Sequence, residues 1–85
     1  MKRVEIYTKS YCPYCKRAKE LLRIKGVAFT DYDVTDDPAR EREMKERSGR
    51  DTVPEIFIDD ALVGGCSELF ELDEKRELDR LLNLK

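Results

Sequence analysis

The sequence predicts an α/β protein of element order βαβαββα, in which a small mixed four-stranded sheet carries helices on both faces. In the first half of the chain, strand-like segments alternate with a segment of helical periodicity, which indicates parallel strands joined by a right-handed crossover. In the second half, two short apolar segments are separated only by Asp59-Asp60, which indicates an antiparallel hairpin. With 85 residues, we expect a single domain covering residues 1–85.

The first predicted strand, residues 3–8, alternates apolar and polar side chains. Residues 16–25 have the periodicity of a helix, whose first turn accommodates Pro13 and which ends at Gly26. Residues 27–34 are predicted to form the second strand. The candidate core residues of that strand are Phe29, Tyr32 and Val34.

Asp37-Pro38 is typical of an N-cap followed by the first helical residue, and it predicts a second helix over Pro38–Ser48 that ends at Gly49. This helix is almost entirely charged. Because only Ala39 and Met44 offer apolar contact, we expect it to pack loosely.

The hairpin is predicted to consist of residues 56–58, a turn at Asp59-Asp60, and residues 61–63, ending at Gly64-Gly65. We expect Ser67 to cap a final helical region and Asp73 to cap a second segment of that region. The buried stripe of this second segment is predicted to comprise Leu78, Leu81 and Leu82.

Composition excludes several classes of function. Charged residues make up 42% of the chain, but the net charge is only −2 and the signs are interleaved, so we expect no nucleic-acid partner and no membrane partner. No apolar segment approaches the roughly 20 residues of a membrane span. The N-terminus leads directly into a strand without a secretory apolar segment, so we expect a cytoplasmic location.

The most informative motif is Cys12-Pro13-Tyr14-Cys15, a dithiol between a predicted strand and the start of a helix. Unpaired N–H groups and the positive end of the helix dipole stabilise a thiolate there, and the thiolate is the form that attacks disulfides. The chain has three cysteines and no histidine, which excludes His–Cys nucleophile pairs. A structural disulfide, or a zinc site using Cys66 as third ligand, is the less favoured alternative, and we expect no metal.

Three segments in order carry a family resemblance: Tyr7-Thr8-Lys9 leading into the cysteine pair, Thr52-Val53-Pro54, and Gly64-Gly65-Cys66. In these segments, and over essentially its whole length, the chain resembles the small bacterial dithiol glutaredoxins. The resemblance implies a thioredoxin-like fold and glutathione as co-substrate. It also implies a cis-proline at Pro54 that faces the cysteine pair.

The resemblance further implies a set of glutathione contacts. Val53 would pair with the cysteinyl backbone, and Lys9 would meet the glycyl carboxylate, a role that Arg47 or Arg50 could share. Ser67 stands where the family commonly has Asp. The implied glutathione-binding residues are Lys9, Tyr14, Thr52, Val53, Pro54, Gly65, Cys66 and Ser67.

The predicted activity is glutathione-dependent thiol–disulfide exchange. Cys12, nearer the helix start, is the predicted nucleophile and suffices for protein–glutathione mixed disulfides, whereas protein disulfides also require Cys15 as resolving thiol. The expected partners of this monomer are glutathione and disulfide-containing or glutathionylated proteins, with ribonucleotide reductase implied by the resemblance. The alternatives are a redoxin reduced by thioredoxin reductase and a carrier of a glutathione-ligated [2Fe–2S] cluster, against which Pro13 counts.

Overall fold

A mixed sheet of four strands forms the centre of the computed structural model, which describes residues 2–82. The strands are β1 (Val4–Thr8), β2 (Thr30–Asp33), β3 (Glu55–Ile58) and β4 (Ala61–Gly64). Their order in the sheet is β2-β1-β3-β4. β1 pairs with β2 in parallel, while the β1–β3 and β3–β4 pairs are antiparallel. The predicted fold class is confirmed.

Four helices complete the described chain: α1 (Pro13–Ile24), α2 (Pro38–Ser48), α3 (Cys66–Glu74) and α4 (Leu78–Leu81). The larger apolar core joins the sheet to α1, α3 and α4, and a smaller one joins the opposite face to α2. The buried residues of the larger core are Val4, Ile6, Ala18, Leu21, Leu22, Ile56, Ile58, Leu69, Leu78 and Leu82. Those of the smaller core are Tyr7, Val34, Met44 and Phe57.

Local signals predicted several element ends correctly. The Asp37 side chain accepts a hydrogen bond from the N–H of Arg40, and α2 ends at Gly49 in the left-handed conformation. Asp59 and Asp60 both have positive φ, at 50° and 68°, as the two central residues of a type I′ hairpin turn require. The turn therefore fixes the β3–β4 hairpin as expected.

The second strand is shorter than predicted, because residues 27–29 have no strand to pair with. The β1–β2 register begins with Glu5 opposite Thr30. Val27 instead donates its N–H to the carbonyl of Leu22, at the end of α1. Of the three candidate core residues in this segment, Val34 is buried, whereas Phe29 and Tyr32 are half-buried.

The predicted caps at Ser67 and Asp73 are wrong. Gly65 is the N-cap of α3, so Ser67 is the second residue of the helix, and Asp73 belongs to the last turn of α3. Asp73 forms an ion pair with Lys25 at 2.7 Å, tying α3 to the end of α1. In the final apolar stripe, Leu78 and Leu82 are buried, but Leu81 is 41% exposed and lines an open crevice beside β4.

None of the helices within residues 2–82 combines the length and apolar character needed to cross a membrane.

Candidate active site

The dithiol lies where β1 passes into α1. Cys12 is the N-cap of the helix, in extended conformation, and Pro13 occupies the first turn. The N–H of Cys15 donates a hydrogen bond to the Cys12 sulfur at 3.3 Å. Both this N–H donor and the positive end of the helix dipole face the Cys12 sulfur.

A second loop faces this sulfur. The Val53–Pro54 peptide bond is cis, as the family resemblance implies, and the Val53 carbonyl lies 3.8 Å from the Cys12 sulfur, within range of a weak S–H···O hydrogen bond. The side chain of Cys12 is almost covered, with 8% of its surface exposed. The Cys12 sulfur therefore lies between the start of α1 and the Val53–Pro54 loop.

The other two cysteines differ from Cys12 in their surroundings. Cys15 is fully buried, and burial, reinforced by its contact with Cys12, raises its pKa from 9.0 to about 12. Burial also raises the pKa of the half-buried Cys66 thiol. Because the thiolate is the attacking form of a cysteine, these raised pKa values disfavour Cys15 and Cys66 as nucleophiles at neutral pH.

An open groove of about 300 Å³ adjoins the cysteine pair. It brings together all the predicted glutathione-binding residues except Lys9, although they come from three separate segments of the chain. The groove is lined by Tyr14, Arg50, Thr52, Val53, Pro54, Gly65, Cys66, Ser67 and Glu68.

The three candidate cations for a glycyl carboxylate lie in different places. Lys9 is outside the lining of this groove and forms an ion pair with Glu41 of α2 at 3.1 Å, which raises the pKa of Lys9. Arg47 pairs with Glu5 at 3.1 Å, over the α2 face of the sheet. Arg50 is the candidate that lines the groove.

Two carboxylates lie at the groove that are outside the predicted set of glutathione-binding residues. Glu68 accepts a hydrogen bond from the Gly65 N–H at 2.6 Å and lies 3.8 Å from Arg50. Its position three residues after Gly65 is the spacing of a capping box, a signal available in the sequence. The Glu68 carboxylate is thus engaged in holding the start of α3.

Glu55 is the second of these carboxylates, and it is fully buried beneath the groove. It accepts a hydrogen bond from the Thr52 hydroxyl at 2.8 Å and pairs with the Nε of Arg50 at 3.2 Å. Burial raises the pKa of Glu55, although Thr52 and Arg50 oppose the shift. Glu55 therefore fixes two residues of the groove wall from below, which only the tertiary structure reveals.

Within residues 2–82, no cluster of three or more His, Cys, Asp or Glu side chains has the geometry to hold a metal ion. The groove offers backbone groups, hydroxyl groups, the Cys66 thiol and charged side chains.

The fold and the dithiol together define a thiol oxidoreductase with a thioredoxin-like fold. The family model for glutaredoxin matches residues 4–63. The chain is 54% identical over 82 residues to glutaredoxin 3 of Escherichia coli K12, which covers 96% of this chain and 99% of the relative. The chain belongs to the glutaredoxin family, and the predicted resemblance to its small bacterial members is confirmed.

Solved structures agree with this assignment. A glutaredoxin from Brucella melitensis, 50% identical, superposes with a TM-score of 0.82 over 94% of this chain and 87% of that one. A buckwheat glutaredoxin–glutathione complex, 26% identical, reaches a TM-score of 0.87 over 96% of this chain and 77% of that one.

Proposed function

We propose that this protein is a glutathione-dependent thiol–disulfide oxidoreductase that reduces protein–glutathione mixed disulfides through Cys12 alone and protein disulfides through Cys12 and Cys15. The observation that carries the proposal is the Cys12 sulfur, held at the start of α1 by the Cys15 N–H at 3.3 Å and opposite the Val53 carbonyl. Glutathione is the co-substrate, and glutathionylated or disulfide-containing proteins are the partners.

In the one-cysteine cycle, the Cys12 thiolate attacks the glutathione sulfur of a mixed disulfide. The protein–glutathione S–S bond breaks, the protein leaves as a thiolate that takes up a proton, and Cys12 becomes glutathionylated. A second glutathione thiolate then attacks the glutathione sulfur on Cys12, giving glutathione disulfide and the Cys12 thiolate. Over the cycle, the sulfur of the second glutathione is oxidised from the thiol to the disulfide level, and the sulfur of the protein is reduced from the disulfide to the thiol level.

In the two-cysteine cycle, Cys12 attacks one sulfur of a protein disulfide and releases the other as a thiolate. Cys15 must then lose its proton and attack Cys12, which releases the reduced substrate and leaves a Cys12–Cys15 disulfide. In the reduced protein, burial raises the pKa of Cys15 to about 12. In the mixed disulfide, the released substrate thiolate can accept the proton of Cys15. Two glutathiones then reduce the disulfide.

The active-site groove supports glutathione as the ligand. Val53, which precedes the cis-proline, offers backbone groups beside the cysteine pair. The first turn of α3, at Cys66 and Ser67, offers backbone N–H groups to a carboxylate. Arg50, held by Glu55 at 3.2 Å, adds a positive charge to the same groove. The groove therefore matches an extended tripeptide with a carboxylate at each end.

The test is a coupled assay that supplies either glutathione, glutathione reductase and NADPH, or thioredoxin reductase and NADPH. We expect rapid turnover of a glutathionylated peptide with the first system and little with the second. Turnover only with thioredoxin reductase would identify a redoxin of the alternative kind. An absorption spectrum of the anaerobically purified protein tests the other alternative, because a bound [2Fe–2S] cluster absorbs visible light whereas a dithiol enzyme does not.

We also propose that the protein is a cytoplasmic monomer. Its protein substrates include ribonucleotide reductase, as the family resemblance implies. Pull-down with the Cys15→Ser variant, which cannot resolve its mixed disulfides, would identify the substrates covalently. Recovery of no disulfide-linked protein would contradict this part of the proposal.

A further inference from the structure

We propose that the crevice between α1 and α3 is a docking groove for protein disulfide substrates and that it binds an acidic, apolar segment next to the substrate's reacting cysteine. This inference rests on the thiol–disulfide exchange proposed above and adds a determinant of substrate choice outside the glutathione contacts. The docking groove is lined by Lys16, Arg17, Glu20, Leu21, Arg23, Ile24 and Phe70.

The docking groove is continuous with the active site. A shallow depression lined by Tyr14, Arg17, Cys66, Ser67 and Phe70 connects the two. Tyr14, Cys66 and Ser67 also line the active-site groove. Arg17 and Phe70 also line the docking groove. A chain attached to Cys12 can therefore leave the active site along an uninterrupted surface.

The floor of the docking groove is apolar. Ile24 is 72% exposed, although it is a large aliphatic residue at the end of α1. Together with Leu21 and Phe70, it lines a cavity of about 570 Å³. This cavity is large enough for two apolar side chains of a bound segment, and an apolar surface rimmed by charges is typical of interaction sites.

The rim of the docking groove is basic in a protein of net charge −2. The rim carries three bases, Lys16, Arg17 and Arg23, and one acid, Glu20. Glu20 is paired with Arg23 at 3.4 Å. Within residues 2–82, Lys16 and Arg17 form no ion pair with another side chain. A bound segment with carboxylates would supply the missing countercharges, whereas a basic segment would be repelled.

A second apolar crevice, within residues 2–82, has the opposite charge. It lies between β4 and α3, and its rim carries Asp59, Glu68 and Glu71 with one base, Lys2. The two crevices therefore differ in sign, and the crevice connected to the dithiol is the basic one. This contrast is why we assign an acidic segment to the docking groove.

The length of the bound segment follows from the helix. Cys12 and Ile24 are 12 residues apart along α1, which corresponds to about 18 Å at 1.5 Å per residue. An extended chain covers about 3.3 Å per residue, so about five or six substrate residues span the distance.

The test uses three peptides, each with an internal disulfide flanked on each side by about six residues. The flanking residues are leucines combined with aspartates in the first peptide, with serines in the second and with lysines in the third. Glutathione, glutathione reductase and NADPH regenerate the enzyme, and bis(2-hydroxyethyl) disulfide is the small reference substrate. We expect kcat/KM to decrease from the aspartate to the serine to the lysine peptide, by about tenfold overall at low salt. The difference should shrink at high salt.

The double variant Arg23→Gln/Ile24→Ser removes one charge and one apolar side chain from the far end of the docking groove. Both side chains are largely exposed, so folding should be preserved. The matched control is Arg42→Gln/Leu62→Ser, which makes the same chemical changes at exposed positions of α2 and β4. We expect Arg23→Gln/Ile24→Ser to lower kcat/KM for the aspartate peptide by about threefold or more and to leave kcat/KM for the small disulfide unchanged. The control variant should change neither value.

Each contrary outcome has a distinct meaning. Equal kcat/KM for the three peptides, with normal turnover of the small disulfide, would overturn the docking groove and leave the proposed function intact. No glutathione-dependent turnover of the small disulfide would overturn the proposed function and this inference with it. A dimer seen by sedimentation, and lost in Arg23→Gln/Ile24→Ser, would mean that a second copy of the chain covers the groove, which also overturns the inference.

Discussion

The backbone N–H of Cys15 donates a hydrogen bond to the sulfur of Cys12 at 3.3 Å, while the thiol of Cys15 itself is fully buried. In the proposed mechanism, residue 15 therefore contributes in two ways. Its backbone N–H contacts the sulfur of the nucleophile, and its buried thiol resolves a mixed disulfide. The two cysteines should consequently differ in reactivity, although they are only three positions apart.

Alkylation kinetics test this difference. Since burial raises the pKa of Cys15 to about 12, iodoacetamide at neutral pH should modify Cys12 first and leave Cys15 largely unmodified until the pH is strongly alkaline. Peptide mass spectrometry of quenched samples identifies the modified residue. A midpoint for Cys15 near 9, the ordinary value, would contradict the buried environment.

The same shift predicts how stability depends on pH. The folded-state pKa of Cys15 lies above the ordinary value of 9.0, so the contribution of its thiol form to stability is present below pH 9 and is lost as the pH rises toward 12. Urea denaturation of the reduced protein from pH 8 to 11 should show this loss, and Cys15→Ala should reduce it. An equal slope in both proteins would contradict the prediction.

Cys15→Ser should separate the two reactions. It preserves the N–H donor to Cys12 and removes the resolving thiol, so reduction of glutathionylated peptides should continue, whereas reduction of protein disulfides should fall by at least about tenfold. Steady-state kinetics on both substrates measure the split. Equal loss of the two activities would refute the proposed roles.

Ser67→Asp tests the groove at the start of α3. Ser67 is exposed and lines the groove, so a carboxylate there would face the ammonium group of a glutathione bound with its γ-glutamyl end at Gly65 and Cys66. A partly exposed pair contributes about 0.2–1 kcal/mol, so affinity should rise by a few-fold at most and the gain should decrease with salt. Calorimetry in the Cys12→Ser background avoids turnover. Unchanged or weaker binding would show that residue 67 does not contact the ligand.

Arg47→Gln tests the polar contacts under α2. Arg47 donates to the carboxylate of Glu5 at 3.1 Å and to the Tyr7 hydroxyl at 2.8 Å, and its guanidinium lies 4.0 Å from the ring centroid of Phe57. Its loss should lower the free energy of unfolding by about 1–3 kcal/mol, because Glu5 is buried. Urea denaturation measures the change, with Arg42→Gln as the exposed control. Equal stability of the two variants would contradict the role of Arg47.

The stabilising contact between Arg47 and Glu5 depends on pH. Burial raises the pKa of Glu5, but hydrogen bonds from Arg47 and Tyr32 outweigh burial, and the pKa lies below its usual 4.5. The contribution of the ionised Glu5 carboxylate to stability is therefore present above pH 4.5 and is lost as the pH falls through the lowered pKa of Glu5. Stability of the wild-type protein should decrease on acidification more than that of Arg47→Gln.

Sequence reasoning was most successful where the signal is local. The dithiol, the Asp37 cap and the Asp59-Asp60 turn each depend on two to four adjacent residues, and the structure forms the predicted elements at all three. The cap at Ser67 failed because the Gly65 backbone and the Glu68 side chain already complete the start of α3. A cap assigned by residue type alone cannot detect such a competitor.

The contacts of α2 could not be predicted in the same way. The sequence suggests loose packing because the helix is highly charged, yet Met44 is fully buried and Arg47 lies over the aromatic rings of Tyr7 and Phe57. These partners come from β1 and β3, which are distant in sequence. For the same reason, the support that Glu55 gives to Arg50 and Thr52 appears only in the tertiary structure.

The central claim is that Cys12 alone receives glutathione from the substrate. The most direct measurement is intact-protein and peptide mass spectrometry of Cys15→Ser and Cys12→Ser, each mixed with a glutathionylated peptide and quenched with acid. We predict that Cys15→Ser gains the mass of one glutathione, located on Cys12, and that Cys12→Ser gains none on the same timescale. Rapid glutathionylation of Cys12→Ser at Cys15 or Cys66, or none in Cys15→Ser, would contradict the proposed mechanism.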